Sequence, residues 1–281
     1  MNTIFTITKL TFREAVRRKI VLAALVLGIA FLIIYSLGLY FINQDLIRST
    51  YSESRQEMVR NQAYNVISMA GMYVVNFLSI AIAALITADS LAGEIQSGTI
   101  QAVVTKPVRR AEVVVGKWLG NAGLMFLYML MMGGGVILSV RLVMGYSAPN
   151  WAAGVGLIYF NALTIITLTL AFSSRFSTLA TGGAVFGAFG LSFIGGWVER
   201  IGSALQNQTA IDLGIFSSLL LPTEALWNKA AGLMTSPLLN LMGATPFTSA
   251  SEPSTLMIAY AGIYMAAALG LAIKVFSRRD L

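Results

Sequence analysis

The sequence contains no cysteine and no histidine. The first absence excludes disulfides and thiolate metal sites; the second removes the base on which Cys-His and Ser-His-Asp machinery depends. Charge is also scarce. Only 11% of the 281 residues are charged against 57% hydrophobic, where a soluble domain carries roughly 25% charged residues. Too few charges remain to cover a water-facing surface. No G-x-x-x-x-G-K-[ST] frame occurs, and the nearest approach, Gly116-Lys117-Trp118, lacks the hydroxyl residue and the preceding glycine. If the protein moves something uphill, the energy comes from another subunit.

What the sequence has instead is six apolar blocks, each long enough to cross a hydrocarbon core of about 30 Å. They fall at Ile20–Ile42, Tyr64–Thr87, Trp118–Leu142, Trp151–Phe172, Thr178–Val198 and Thr255–Phe276. The expected fold is an all-α polytopic membrane protein forming a single transmembrane domain over residues 1–281. The basic start, Lys9 to Lys19, resembles a signal peptide, but the run behind it exceeds the roughly 7–15 residues of a signal core and lacks a small-residue cleavage site. It is read as a retained first span.

Lys and Arg set the orientation. With the amino end inside, 13 of the 19 basic residues fall on the cytoplasmic side and 6 on the outer side, as the positive-inside rule requires. Both termini are then cytoplasmic. The net charge of +7 is accounted for by span ends and one membrane face, so no nucleic-acid partner is expected. The spans carry no Asp, Glu, Lys or Arg in their central regions, and Arg141 sits near an outer end. Ion-coupled carriers usually place ionisable groups at that depth, so a self-sufficient secondary carrier or channel is the weaker alternative. An intramembrane hydrolase has neither a histidine base nor a serine-lysine pair here. No catalytic, cofactor-binding or metal residue is assigned.

Residues 1–19 predict an amphipathic elbow helix along the inner surface, with Lys9, Arg13 and Arg17 on one stripe; Ile7 and Leu10 fit that split poorly. Residues 88–116 predict a cytoplasmic amphipathic helix between spans two and three. Ser90, Glu94, Ser97 and Gln101 line its polar stripe, Leu91, Ile95 and Ala102 lie opposite, and Lys106-Pro107 stops it. Such a helix either lies on the lipid surface or docks a partner. Residues 199–254 predict an outer loop holding an apolar piece, Ile211 to Met234, broken at Pro222 with Thr223 as an N-cap. Asp212, Glu224 and Lys229 make a full crossing there expensive, so the piece is read as two short helices resting on or dipping into the outer leaflet. Gly133-Gly134-Gly135, and Gly183 with Gly187 at G-x-x-x-G spacing, suit close helix packing, within the bundle or at a dimer face. Trp118, Trp151 and Trp197 sit at span ends as interfacial anchors. The methionines, Met129, Met131 and Met132 among them, read as core filler rather than as a copper path.

The cytoplasmic segment reads Glu94-Ile95-Gln96-Ser97-Gly98-Thr99, then Pro107-Val108-Arg109-Arg110 and Gly116-Lys117. It resembles the E-x-x-x-G-T…P-x-x-R…G-K pattern of type-2 ABC permeases, at the same place between the second and third spans. The segment Leu221 to Trp227 resembles a recurring outer segment of that family. Within it the chain is most similar to permeases that accompany nitrous-oxide-reductase maturation. The resemblance implies an exporter permease in the prokaryotic cytoplasmic membrane that pairs with a second copy. It also implies an ABC nucleotide-binding ATPase as partner, with ATP and Mg bound there and not in this chain. Ser90, Glu94, Ser97, Gly98, Thr99, Gln101, Lys106, Pro107, Arg109 and Arg110 are the ATPase-coupling residues it implies. A membrane anchor that holds a cytoplasmic assembly without transporting is the other alternative.

Overall fold

A computed structural model of the chain describes residues 3–48, 53–98, 108–237, 239 and 253–279. Among these residues the chain is helical, with no strand. Helix α1 is Thr3–Arg17, α2 Lys19–Arg48, α3 Glu53–Gln96, α4 Arg110–Met144 and α5 Trp151–Ser173. Then come α6 Thr178–Ala204, α7 Gln208–Leu220, α8 Thr223–Met234 and α9 Leu256–Ser277. Six helices are long and apolar enough to cross a membrane: α2, α3, α4, α5, α6 and α9. The all-α polytopic architecture expected from the sequence is the one observed.

Helices α2, α3, α4 and α6 run past their apolar blocks, while α5 and α9 match theirs to within a residue. Helix α3 has 44 residues, a length of about 66 Å at 1.5 Å per residue. It begins at Glu53, before the apolar block starts, and continues to Gln96, past Thr87 where the block ends. No proline falls between Ala88 and Gln96, and the helix passes through Gly93, so a drop in hydropathy is not a break in the helix. The stop comes at Gly98, whose φ of 72° is left-handed and costs glycine nothing.

One end of the bundle gathers arginines. Arg110 Nη1 donates to the carbonyls of Phe276, Ser277 and Arg279, and Arg279 Nη1 donates to the carbonyl of Ser174. These bonds satisfy the last carbonyls of α9 and α5, which have no partner within their own helices. Helix α1 packs at this same end, so the described residues at both chain ends lie together.

Helix α1 is seated by two glycines of α4. A Cβ on Gly116 would meet the Ile7 side chain at 2.7 Å, and one on Gly120 would meet the Thr11 Cβ at 2.7 Å. Ile7, Thr11 and Ala15 thus form the buried line of α1. Ile7, at odds with the basic stripe in the sequence, is the residue that enters the Gly116 gap. The other spacing of this type behaves differently: Gly183 and Gly187 face open space.

Residues 208–234 form the two short helices broken at Pro222 that the sequence predicts, with Pro222 rather than Thr223 as the cap of the second. Helices α7 and α8 form a pair bent by 105°. The turn between them is tied to the bundle from two sides. Asn161 Nδ2 donates to the Thr223 carbonyl at 3.1 Å and to Asn76 Oδ1 at 3.0 Å. Ser192 Oγ donates to the Leu221 carbonyl at 2.8 Å. Asn161 lies about 15 Å from the start of α5, midway along that helix of 23 residues, so the turn reaches the middle of the bundle.

From there α8 climbs back to Asn65, which donates to the Met234 carbonyl at 2.9 Å. Trp227, Ala230, Ala231 and Met234 of α8 are fully buried, while Leu213, Phe216 and Leu220 of α7 are exposed. The pair is a re-entrant hairpin with one lipid-facing arm and one core arm. The cost of Glu224 at that depth is offset by Arg200 of α6, whose Nη2 lies 2.9 Å from the carboxylate and 3.1 Å from Asn228 Oδ1.

Two outcomes are expected. Gly120→Val should push α1 off α4 and cost about 1–3 kcal/mol of stability, whereas Gly38→Ala, with open space around it, should cost nothing; thermal melting in detergent compares them. Glu224→Leu should cost about 3–5 kcal/mol by stranding a buried guanidinium, and the double variant with Arg200→Leu should recover most of it. Equal melting of the single and double variants would rule out the buried pair.

Candidate functional site

The residues that flank the connection between α3 and α4 meet in two matched rungs. On α3, Ser90 and Glu94 are one turn apart; on α4, Lys117 and Asn121 are one turn apart. The helices run antiparallel, so a step toward the end of α3 matches a step toward the start of α4. Glu94 Oε1 lies 2.5 Å from Lys117 Nζ, and Asn121 Nδ2 lies 3.4 Å from Ser90 Oγ. The Lys117 ammonium also donates to the Ser90 carbonyl at 2.7 Å. The Lys117 side chain is 4% exposed and that of Glu94 20%. A buried ammonium requires such partners, and this one has two.

The polar stripe expected along residues 90–101 is therefore divided. Its first two members, Ser90 and Glu94, turn inward onto α4. Ser97 and Gly98 are exposed just beyond, with Ser97 Oγ 3.3 Å from the Glu94 carbonyl. The opposite, apolar side is covered as well: Leu91 is fully buried in a cluster with Val113, Val114, Leu170 and Phe276. The end of α3 is thus packed on both sides, because it is the last part of a bundle helix rather than a separate surface helix.

Across the connection, Arg109 is exposed and precedes α4, where Glu112 Oε2 accepts its backbone N–H at 3.3 Å. The Arg110 guanidinium is engaged by the carbonyls that end α9, as described above. Thr99, Gln101, Lys106 and Pro107 lie outside the described residues.

A second set of charges adjoins the first. Arg18, at the break between α1 and α2, pairs with Glu14 at 2.5 Å and with Asp89 at 2.8 Å. Asp89 also accepts from Thr178 Oγ1, at the start of α6, at 3.0 Å. One carboxylate of α3 thus holds the elbow and α6 together. Between these groups opens a polar cleft of about 550 Å³, lined by Glu14, Arg18, Asp89, Glu94 and Ser97. The arrangement has no nucleophile–base pair. Its chemistry is mechanical: it ties α1, α2, α3, α4 and α6 around the exposed ends of one connection.

Asn121, Asp89 and Thr178 were not among the residues singled out from the sequence; Arg18 was counted only for orientation, and Lys117 was quoted only as part of the family pattern, without a role at this site. A signal existed for Lys117, a lysine about 10 Å inside a helix of 35 residues. A cation so placed in an apolar helix calls for a carboxylate, and Glu94 is the one available at the facing end.

Asymmetric exposure gives a direct test. Glu94→Gln leaves a buried ammonium without its counter-charge, and should cost about 3 kcal/mol or more. Lys117→Met leaves a carboxylate that water can reach, and should cost less. Melting temperatures in the opposite order would show that the pair does not hold the two helices.

The chain matches the family described as ABC-2 family transporter protein over residues 5–281. No curated protein matches it.

Proposed function

The chain belongs to the ABC-2 family of transporter proteins, and from that premise we propose that it is the membrane half of an ATP-driven exporter, working as a homodimer. It is a multi-pass membrane permease subunit of the ABC type. In this reading a separate ABC ATPase binds and hydrolyses ATP with Mg, and docks on the connection between α3 and α4 at a cytoplasmic face. In this reading α1 and the end of α9 lie on that face.

One observation carries the reading. The connection is clamped at its base by Lys117, Glu94 and Ser90, while Ser97, Gly98 and Arg109 at its two ends stay exposed. A force applied to it passes into α3 and α4 instead of being lost in a loose loop. Through Asp89 it continues to the elbow and to α6. In this proposal Ser97, Gly98, Thr99, Gln101, Lys106, Pro107 and Arg109 meet the ATPase. Ser90, Glu94 and Arg110 act as positioning residues behind them. Gly183 and Gly187, open on α6, support a face for the second copy. The charge-free span centres favour a hydrophobic or amphiphilic cargo.

The experiment purifies the protein in mild detergent from its native membrane and measures what co-purifies. A stoichiometric ATPase is expected. Arg109→Ala combined with Ser97→Ala should lower ATP-driven transport at least tenfold without shifting the melting temperature. Because the chain lacks cysteine, Ser97→Cys also provides a unique crosslinking position toward the ATPase. Transport in proteoliposomes by the chain alone, without ATP, would overturn the reading in favour of a secondary carrier or channel. A bound ATPase with no transport would favour the anchor.

A further inference from the structure

An apolar groove lies between α5 and α9 at the arginine-rich end of the bundle. It encloses about 420 Å³ and is lined by Leu168 and Phe172 of α5, by Tyr264, Ala268, Leu271 and Val275 of α9, and by Arg175. The groove exists because α9 presents alanines where its neighbour presents Phe172. It opens sideways: Leu271 is 55% and Phe176 47% exposed. A membrane-spanning bundle meets hydrocarbon on that flank, so a cleft of this kind fills with a chain rather than with water.

Its dimensions and charge define which chain. From Tyr264 to Val275 α9 rises about 16 Å, close to half of a hydrocarbon core of about 30 Å. The groove therefore spans one leaflet and stops at the middle. At its mouth stands the exposed Arg175, in the turn after α5. Arg279 sits beside it, donating to the Ser174 carbonyl at 2.8 Å, and Lys274 is exposed on the last turn of α9. A one-leaflet apolar slot under a cluster of cations matches an acyl chain under a phosphate, since basic pockets at the ends of membrane helices favour anionic headgroups.

We propose that this groove binds one anionic phospholipid from the leaflet at the arginine-rich end. An acyl chain lies along Ala268 and Leu271, and the headgroup phosphate is held by Arg175. The site is lateral to the α3–α4 connection and does not depend on the transport reading. An occupied groove would splint α9 to α5, adding to the Arg279 bond and to the packing of Leu170 against Phe276 at that end.

The test reconstitutes the full-length protein in nanodiscs containing equal phosphatidylglycerol and phosphatidylcholine, and counts retained lipids by native mass spectrometry. One phosphatidylglycerol per chain is expected, retained about tenfold over phosphatidylcholine. Arg175→Gln should abolish the headgroup preference while the acyl slot stays intact. Ala268→Phe fills the slot and should remove both lipids without changing the oligomeric state. Retention that is equal for the two lipids, or unchanged in Arg175→Gln, would overturn the proposal. So would loss of dimers in Ala268→Phe, which would assign the groove to a second copy of the chain. Should Ala268→Phe not fold, the charge-only Arg175→Gln variant decides alone.

Discussion

A single buried ammonium organises the arginine-rich end of this protein. Lys117 sits inside the packed helices, where an unpaired charge is not tolerable, and it is satisfied only if the end of α3 lies alongside the start of α4 in one register. Glu94 supplies the charge and Ser90 a carbonyl. Shifting α3 by one turn would lose both. That register fixes where the connection between the helices begins and ends, and it keeps Gly116 and Gly120, on the neighbouring turns of α4, facing α1. The seat of the elbow and the geometry of the connection are therefore consequences of one pairing.

The opposite half of the bundle is organised by a second buried pair. Arg200 and Glu224 join α6 to the returning arm of the hairpin, and the amide of Asn161 pins the turn from a third direction. Polar groups at this depth are costly unless paired, and here each arrives on a different helix. The hairpin is consequently held by residues distant in sequence, with Trp227 packed edge-on against Tyr73 of α3 at 5.1 Å. The two halves of the molecule show the same rule: Lys117 and Glu224 each meet a counterpart brought by another helix.

That rule also explains what could be read from the sequence. The all-α class and the six spans follow from hydropathy, which is local and strong. The family pattern from Glu94 to Lys117 is local too. The inward turn of Ser90 and Glu94 is not, because a polar stripe looks the same whether it faces water or a buried lysine. Two short helices broken at Pro222 were legible, but the depth of residues 208–234 is obscured for the same reason: Asp212, Glu224 and Lys229 argue against depth until Arg200 is known to stand opposite Glu224. Among glycines, Gly183 with Gly187 and Gly116 with Gly120 share one spacing, and only the second pair seats another helix within the chain, one whose residues lie about a hundred positions earlier.

The uninterrupted length of α3 has a mechanical consequence. An unbroken rod of about 66 Å cannot absorb a displacement at one end by bending at a hinge, so it must pivot. A tilt of about 5° about its midpoint would carry each tip sideways by about 3 Å, in opposite directions. The same helix bears Glu94 near one tip and Asn65, which grips the top of α8, toward the other. It is built as a lever, with its fulcrum near Asn76, where the turn of the hairpin is tied.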